Sequence, residues 1–248
     1  MAHSISPPQS FQAIELHGHE IVATEIELLD QHRPVYRARL EPDLYRHTIP
    51  STVTSVIIKQ QKDEWEEEFE DEEKAYNRLK KLQGEVIPYF YGRGCFNGQP
   101  ALILSDIDGI TLNDLAHSNY DVPEASLKAH LEEVFDALST HGALYRDQKP
   151  DNFFLCGDCD IGFSKAMVVD LEQVEFPGQL RPWQYSINKD GARALMEEFK
   201  YKRDPQREST PLDLWTSGHQ DGNPLRELEG FASGVNQQGI GRPEPITA

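Results

Sequence analysis

Tyr145-Arg146-Asp147-Gln148-Lys149-Pro150-Asp151-Asn152-Phe153-Phe154-Leu155 is the stretch on which the reading of this chain turns. It places an acid, a lysine and an amide within six residues and then runs into an apolar, strand-like segment. Asp147 and Asn152 stand five apart with Lys149 between them. That spacing suits a loop that presents a base, a phosphate-neutralising cation and a metal-binding oxygen to one point.

Downstream, Phe153–Cys156 and Ala166–Asp170 read as the two arms of a hairpin whose tip carries Cys156-Gly157-Asp158-Cys159. A lone C-x-x-C lacks the two further ligands that zinc needs, so the tip reads as a turn with two incidental thiols. Upstream, Asp121-Val122-Pro123-Glu124 is a helix start with Asp121 as capping residue. Leu127, Leu131, Val134 or Phe135, and Leu138 then line one face of a helix that ends near Gly142.

Toward the N-terminus, Ile21–Leu29 and Val35–Leu40 alternate enough to be two antiparallel strands, and Thr52–Lys59 reads as a buried strand. That last strand ends on a lysine, and an ammonium is costly to bury without a partner. The partner is expected in the next segment, where nine of the eleven residues from Asp63 to Glu73 are acidic. Read as a helix to about Gln83, this segment joins Trp65, Phe69, Tyr76 and Leu79 into one stripe through position 72. Glu72 therefore faces inward toward Lys59, with Glu73 as the fallback, while the other acids face water. Asn97-Gly98 marks a hairpin leading into Pro100–Leu104, and Ser105–Gly109 reads as a connector before a short helix near Thr111–Ala116. Asp190–Tyr201 reads as an amphipathic helix, and a further short helix is expected around Leu225–Phe231.

Composition limits what these parts can do. A chain of 248 residues that is 38% hydrophobic can bury a substantial core, and no apolar run approaches the length of a membrane span. Three cysteines are too few for a disulfide framework, and the N-terminus shows no signal-peptide pattern, so a cytoplasmic protein is expected. A formal charge of −18 argues against wholesale nucleic-acid binding but leaves room for a nucleotide held by a few local cations and a metal.

Together these segments, over residues 21–175, resemble the eukaryotic protein-kinase fold, and more closely the divergent kinase-like proteins of filamentous fungi. Val56-Ile57-Ile58-Lys59 is similar to the kinase third-strand motif, and Glu72 falls where the family's helix glutamate pairs with its lysine. Leu102–Asp106 resembles the fifth strand running into the hinge. Tyr145–Asn152 resembles the catalytic loop, and Met167–Glu172 the strand leading into Asp-Phe-Gly. The resemblance implies an α+β, two-lobed fold: a small antiparallel sheet with one helix (residues 11–104), then a reduced, mainly helical lobe (105–235). Residues 1–10 and 236–248 are left as flexible tails.

The resemblance also assigns roles. Asp147 would accept or orient a hydroxyl proton, and Lys149 would lie against the transferring phosphoryl group. Asn152 and Asp170 would hold magnesium. Lys59, braced by Glu72, would hold the other phosphates of ATP, with Ile57, Asp106 and Arg33 around the nucleotide.

The sequence departs from the family pattern in four places. No glycine occurs from His19 to Gln83, so the phosphate-covering loop is replaced by Asp30-Gln31-His32-Arg33-Pro34. Ile57 stands for a small alanine, which should reshape the base pocket. Tyr145 replaces a histidine, a change of scaffold more than of chemistry. Glu172 replaces a glycine, which should discourage a backbone flip. Only 78 residues follow Asp170, too few for a full peptide-binding platform. The expected activity is therefore ATP- and magnesium-dependent phosphoryl transfer to a hydroxyl, of a small molecule rather than a protein. Two alternatives stay open: a pseudokinase that binds a protein partner, and a kinase fold turned to other metabolite chemistry such as nucleotidyl transfer.

Overall fold

A computed structural model describes residues 14–30, 33–41, 48–158, 162–179 and 181–205, all within one compact unit. Cys159, the helix expected near Leu225–Phe231 and both tails lie outside the described residues. The first half is β-rich, with β1 (Ile14–Leu16), β2 (His19–Ile21), β3 (Ala23–Asp30), β4 (Val35–Leu40) and β5 (Ser55–Gln60). Helix α1 (Glu66–Arg78), β6 (Phe90–Phe96) and β7 (Gln99–Ser105) complete it. The second half holds β8 (Gly109–Thr111), α2 (Leu112–His117), α3 (Glu124–Thr140) and β9 (Leu144–Tyr145). It continues with β10 (Phe153–Asp158), β11 (Gly162–Val168), β12 (Val174–Glu175) and α4 (Tyr185–Arg203).

Among the described residues, seven strands form one antiparallel sheet in the order β2-β1-β6-β7-β5-β4-β3. The two end strands, β2 and β3, are separated in sequence by Val22 alone. Two peptide units span at most about 7.6 Å, so the opposite edges of the sheet must meet at that corner. The sheet is therefore curled around its own core. Ile14, Leu16, Ala38, Val56, Ile58, Phe96, Ala101 and Ile103 fill the inside, each with no exposed surface.

The β1–β2 hairpin was not legible as strand. Its turn is His17-Gly18, both at positive φ, and its strands are only three residues each. Such short runs carry little periodicity to read. By contrast Asn97-Gly98, also both at positive φ, turns β6 into β7 as the sequence indicated.

Strand alternation sets up the cleft. In β4 and β5 the residues Tyr36, Ala38, Val56 and Ile58 face the curled core, so Val35, Arg37, Ile57 and Lys59 must face the other way. On that side α1 packs by Phe69, Glu72, Ala75 and Tyr76. Trp65 does not join the stripe expected of it. It is the cap residue before the helix and 45% exposed, with Lys62 Nζ 4.7 Å from its ring centre.

The second core runs from α1 through β7 into α2, α3 and α4. Helix α3 buries Leu127, Leu131, Val134, Phe135 and Leu138, so both candidates at 134 and 135 point inward. Its cap position is Pro123 rather than Asp121, with no side-chain cap bond. Proline's fixed φ already orients the chain into the first turn there. Helix α4 begins earlier than expected, at Tyr185, and buries Ala192, Leu195, Met196 and Phe199. Gly191 lets it approach α3: a Cβ there would lie 2.4 Å from the Phe135 ring. The fold is a mixed α+β one, a curled antiparallel sheet with one helix followed by a mainly helical half.

Candidate active site

Between the sheet and the helical half lies a cleft of about 440 Å³, within the range of small-molecule sites. Leu29, Val35, Ile57, Leu104, Ile107, Phe154 and Val169 give it apolar walls. Its polar lining includes Lys59, Asp170 and Arg33, with Asn152 beside them on the wall and Arg37 and Asp106 further along. Lys59 lines the cleft because it sits two residues from Ile57 on the same face of β5.

Lys59 Nζ lies 2.6 Å from Glu72 Oε2, 2.9 Å from Asp170 Oδ1 and 2.9 Å from Glu172 Oε1. Glu72 has no exposed surface, and its other oxygen accepts a bond from Leu171 N at 3.3 Å. Glu73, the alternative partner, instead meets Arg93 at 3.1 Å. Glu172 also lies 3.6 Å from Lys62.

Burial alone would lower the Lys59 pKa, but the carboxylates of Glu72, Asp170 and Glu172 together raise it well above the usual range. Asp170 is pulled below the ordinary carboxylate range: burial would raise it, and Lys59, the Glu172 amide and Arg33 outweigh that. Glu72 goes the other way, pushed up to about 7 by burial that Lys59 only partly offsets. Opposite tendencies in two partners of one ion pair have a simple cause here. Three carboxylates share one ammonium, and the most deeply buried of them is the one driven toward its neutral form. The ligand oxygens of the three acids lie within 4.8 Å of one another. They close on the lysine, so the cluster is an ammonium cage rather than a vacant metal cage.

Asp170 has its second oxygen engaged as well: Arg33 Nη1 donates to Oδ2 at 2.9 Å. Glu172 N donates to Asp170 Oδ1 at 3.3 Å. This bond and the Glu172–Lys59 pair would both have to break in any flip of that backbone.

The loop Tyr145–Asn152 meets the cleft at Asn152. Asn152 Nδ2 lies 2.9 Å from Asp147 Oδ2 and 3.1 Å from the Tyr145 hydroxyl. The backbone then links the loop to the strand before Asp170, Val169 N donating to Asn152 O at 3.0 Å. Asp147 Oδ1 lies 2.7 Å from Lys149 Nζ, and Lys149 is more than half exposed. Tyr145 is buried, edge-on to Phe153 at 5.8 Å between ring centres, and burial pushes its phenol far above the usual range. It serves as scaffold for Asn152.

Three further residues shape the site. Asn188 of α4 accepts from Tyr145 N at 3.0 Å and donates to Ala143 O at 2.8 Å, tying the loop to the helix below. Arg146 makes a two-bond pair with Glu175, at 2.5 and 3.0 Å. Asp106 Oδ2 accepts from Arg37 Nε at 2.9 Å and from Ser55 Oγ at 2.8 Å, so it braces β4 and β5 to the segment after β7. The sequence offered a signal for Glu172, an acid two positions beyond Asp170. It offered none for Asn188, whose role depends on how α4 docks.

The structure thus brings Lys59, Glu72, Asp170 and Arg33 into direct contact, and Asp147, Lys149 and Asn152 into a second group. Asn152 and Asp170 line the same cleft; Ile57 lies among its apolar walls and Asp106 is turned to Arg37. The donor set fits a hard divalent cation, an amide and a carboxylate oxygen, provided Arg33 yields Asp170 Oδ2.

No protein-family model matches the chain, nor does any curated protein sequence. Solved structures do. The Mycobacterium tuberculosis PknI kinase domain, as a cysteine-to-alanine variant, is similar with a TM-score of 0.52 at 15% identity, over 74% of this chain and 75% of that one. A double variant of the same domain gives 0.52 at 15% identity, over 82% and 80% of the two chains. At such identity the likeness speaks for the fold alone, and the fold is protein-kinase-like.

Proposed function

We propose that this chain is an ATP- and magnesium-dependent phosphotransferase of the divergent, fungal-type kinase-like group, acting on the hydroxyl of a small molecule. The observation that carries the reading is the position of Asn152. It lines the cleft that holds Lys59 and Asp170 and donates its amide to Asp147, so it links the residues proposed to bind phosphate with the one proposed to accept the proton.

Bound MgATP would supply the activated phosphoryl group; this chain's residues position it and neutralise its charge. Lys59, held by Glu72, would bind phosphate oxygens, and Asn152 and Asp170 would ligate the metal. Lys149 would leave Asp147 Oδ1 for the transferring group, and that oxygen would take the proton of the acceptor hydroxyl. Support for a small acceptor comes from the short link between β12 and α4, residues 176–184, which leaves little chain for a peptide platform. Two lobes meeting at the cleft, residues 11–104 and the reduced lobe after it, are part of this reading, as is a cytoplasmic site where ATP and magnesium are supplied. No helix among the described residues is long and apolar enough to cross a membrane.

A second reading, a pseudokinase with a protein partner, is favoured by one contact: Arg33 sits on the oxygen of Asp170 that a metal would use. Nucleotide-dependent thermal shift, with phosphoryl transfer to a panel of small hydroxyl compounds, separates the two. Asp147→Asn should keep MgATP binding and lower transfer by about 10²–10⁴-fold. Absence of MgATP binding, or of transfer to any acceptor, rejects the phosphotransferase, and transfer undiminished in Asp147→Asn rejects the role given to Asp147. Product masses distinguish an added phosphate from an added adenylate.

A further inference from the structure

We infer that Arg33 is an exchangeable cation that couples metal to nucleotide: it caps Asp170 Oδ2 until a divalent cation takes that oxygen, and then turns to the nucleotide phosphates. This deepens the phosphotransferase reading and rests on it for the identity of the nucleotide.

Four observations meet here. Both oxygens of Asp170 are capped by cations, Oδ1 by Lys59 Nζ and Oδ2 by Arg33 Nη1, each at 2.9 Å. Of the two, Lys59 is fixed by the cage of Glu72 and Glu172, whereas the Arg33 side chain is 36% exposed. Arg33 is thus the cap that can leave. Its backbone does not need to move, because Val35 N donates to Arg33 O at 2.7 Å and Gln60 N to Pro34 O at 2.9 Å. The turn is pinned to β5 while a long side chain projects over the cleft. Asp30 Oδ2, 4.0 Å from Arg33 Nε, stays beside the guanidinium.

The charge of the site gives the exchange its direction. Counted formally with every acid ionised, and leaving aside the more exposed Asp30, Lys59, Lys62 and Arg33 face Glu72, Asp170 and Glu172, three positive charges against three negative. A divalent cation alone would leave this largely buried group with excess positive charge, and a polyphosphate alone with excess negative charge. Bound together they offset one another in part, two positive charges against about four negative, and the Arg33 displaced by the first is set free for the second. The turn also lacks the glycines that would let backbone N–H groups approach phosphate, and Pro34 has no N–H, so a side-chain cation is what the turn has to offer.

The test measures, on the full chain, binding of manganese(II) alone, of ATP in excess chelator, and of both together. The proteins are wild type, Arg33→Gln and Arg33→Lys, with thermal unfolding as the check on folding. Arg33→Gln should bind manganese alone about fivefold or more tightly than wild type and ATP alone about fivefold more weakly, and the mutual enhancement should fall by a similar factor. Arg33→Lys should retain part of the coupling. Manganese affinity unchanged within about twofold in Arg33→Gln, or manganese bound by neither protein, overturns the exchange at Asp170. If manganese responds as expected while ATP binds neither protein, the exchange stands and the phosphotransferase reading falls. If ATP binds both proteins with the same dependence on manganese, nucleotide binding stands and the coupling is overturned.

Discussion

Replacing Glu72 by glutamine tests whether the ammonium cage is charged as its geometry implies. Burial raises the Glu72 pKa from 4.5 to about 7, so the folded protein holds a proton there that the unfolded chain releases. A carboxylate raised in this way contributes stability that is fully present below its unfolded pKa and lost as pH rises through the folded one. The window is therefore the interval from 4.5 to about 7. By linkage the full swing is about 3 kcal/mol, of which about 2 kcal/mol falls between roughly pH 5 and pH 7. Glutamine keeps the shape and removes the titration. Urea unfolding of wild type and Glu72→Gln, in chelator, should show the wild type losing about 2 kcal/mol relative to the variant over that range. Whatever is common to the two proteins drops out of the difference. A difference that is flat, or that grows in favour of wild type as pH rises, would mean Glu72 is an ordinary ionised partner of Lys59. Three acids would then not overcrowd one ammonium.

Asn188→Ala strands the Tyr145 N–H and the Ala143 carbonyl inside the protein and should cost about 2–4 kcal/mol in denaturant unfolding. Because Asn188 holds the loop and does not line the cleft, nucleotide affinity of the folded variant should change less than transfer rate. A double-mutant cycle of Arg33→Gln with Glu172→Gln should be non-additive. Each single change unbalances the cluster and the pair restores neutrality, so the double variant should be more stable than the sum of the two losses by about 1 kcal/mol. Additivity within about 0.3 kcal/mol would show that the cluster is not balanced as a unit.

What was legible in the sequence, and what was not, follows from the range of each interaction. Lys59 is visible because a β-branched strand seldom ends on a charge, and Glu72 because helical spacing puts one acid of nine on the apolar stripe. Both inferences need only local periodicity. Trp65 was misread for the same reason: its spacing fits the stripe, but the helix starts one residue later and the ring is left outside. Asn97-Gly98 was readable as a turn, whereas His17-Gly18 was not, since strands of three residues give no pattern to flank it. The Arg33–Asp170, Arg37–Asp106 and Asn188–Tyr145 contacts join residues 137, 69 and 43 positions apart. No spacing rule reaches so far, and such contacts appear only once the sheet has curled and α4 has docked.

The curling of the sheet also changes how the departures from the kinase pattern should be weighed. Along the chain, a missing glycine loop and a glutamate in place of glycine look like two separate losses, each weakening the case for chemistry. In the structure they are complementary. The turn between β3 and β4 brings Arg33 to one oxygen of Asp170, and Glu172 comes to the lysine that holds the other. One added cation and one added carboxylate enter the same buried group, which stays neutral with both and with neither. A site merely decaying would have no reason to keep that balance, because either change alone leaves the cluster with a net charge and costs stability whether or not the site is used. Stability by itself, however, would be served as well by removing both charges as by keeping both. What the pair adds beyond stability is a cation, Arg33, at the mouth of the cleft and free enough to change partners, and that property matters only if something anionic enters.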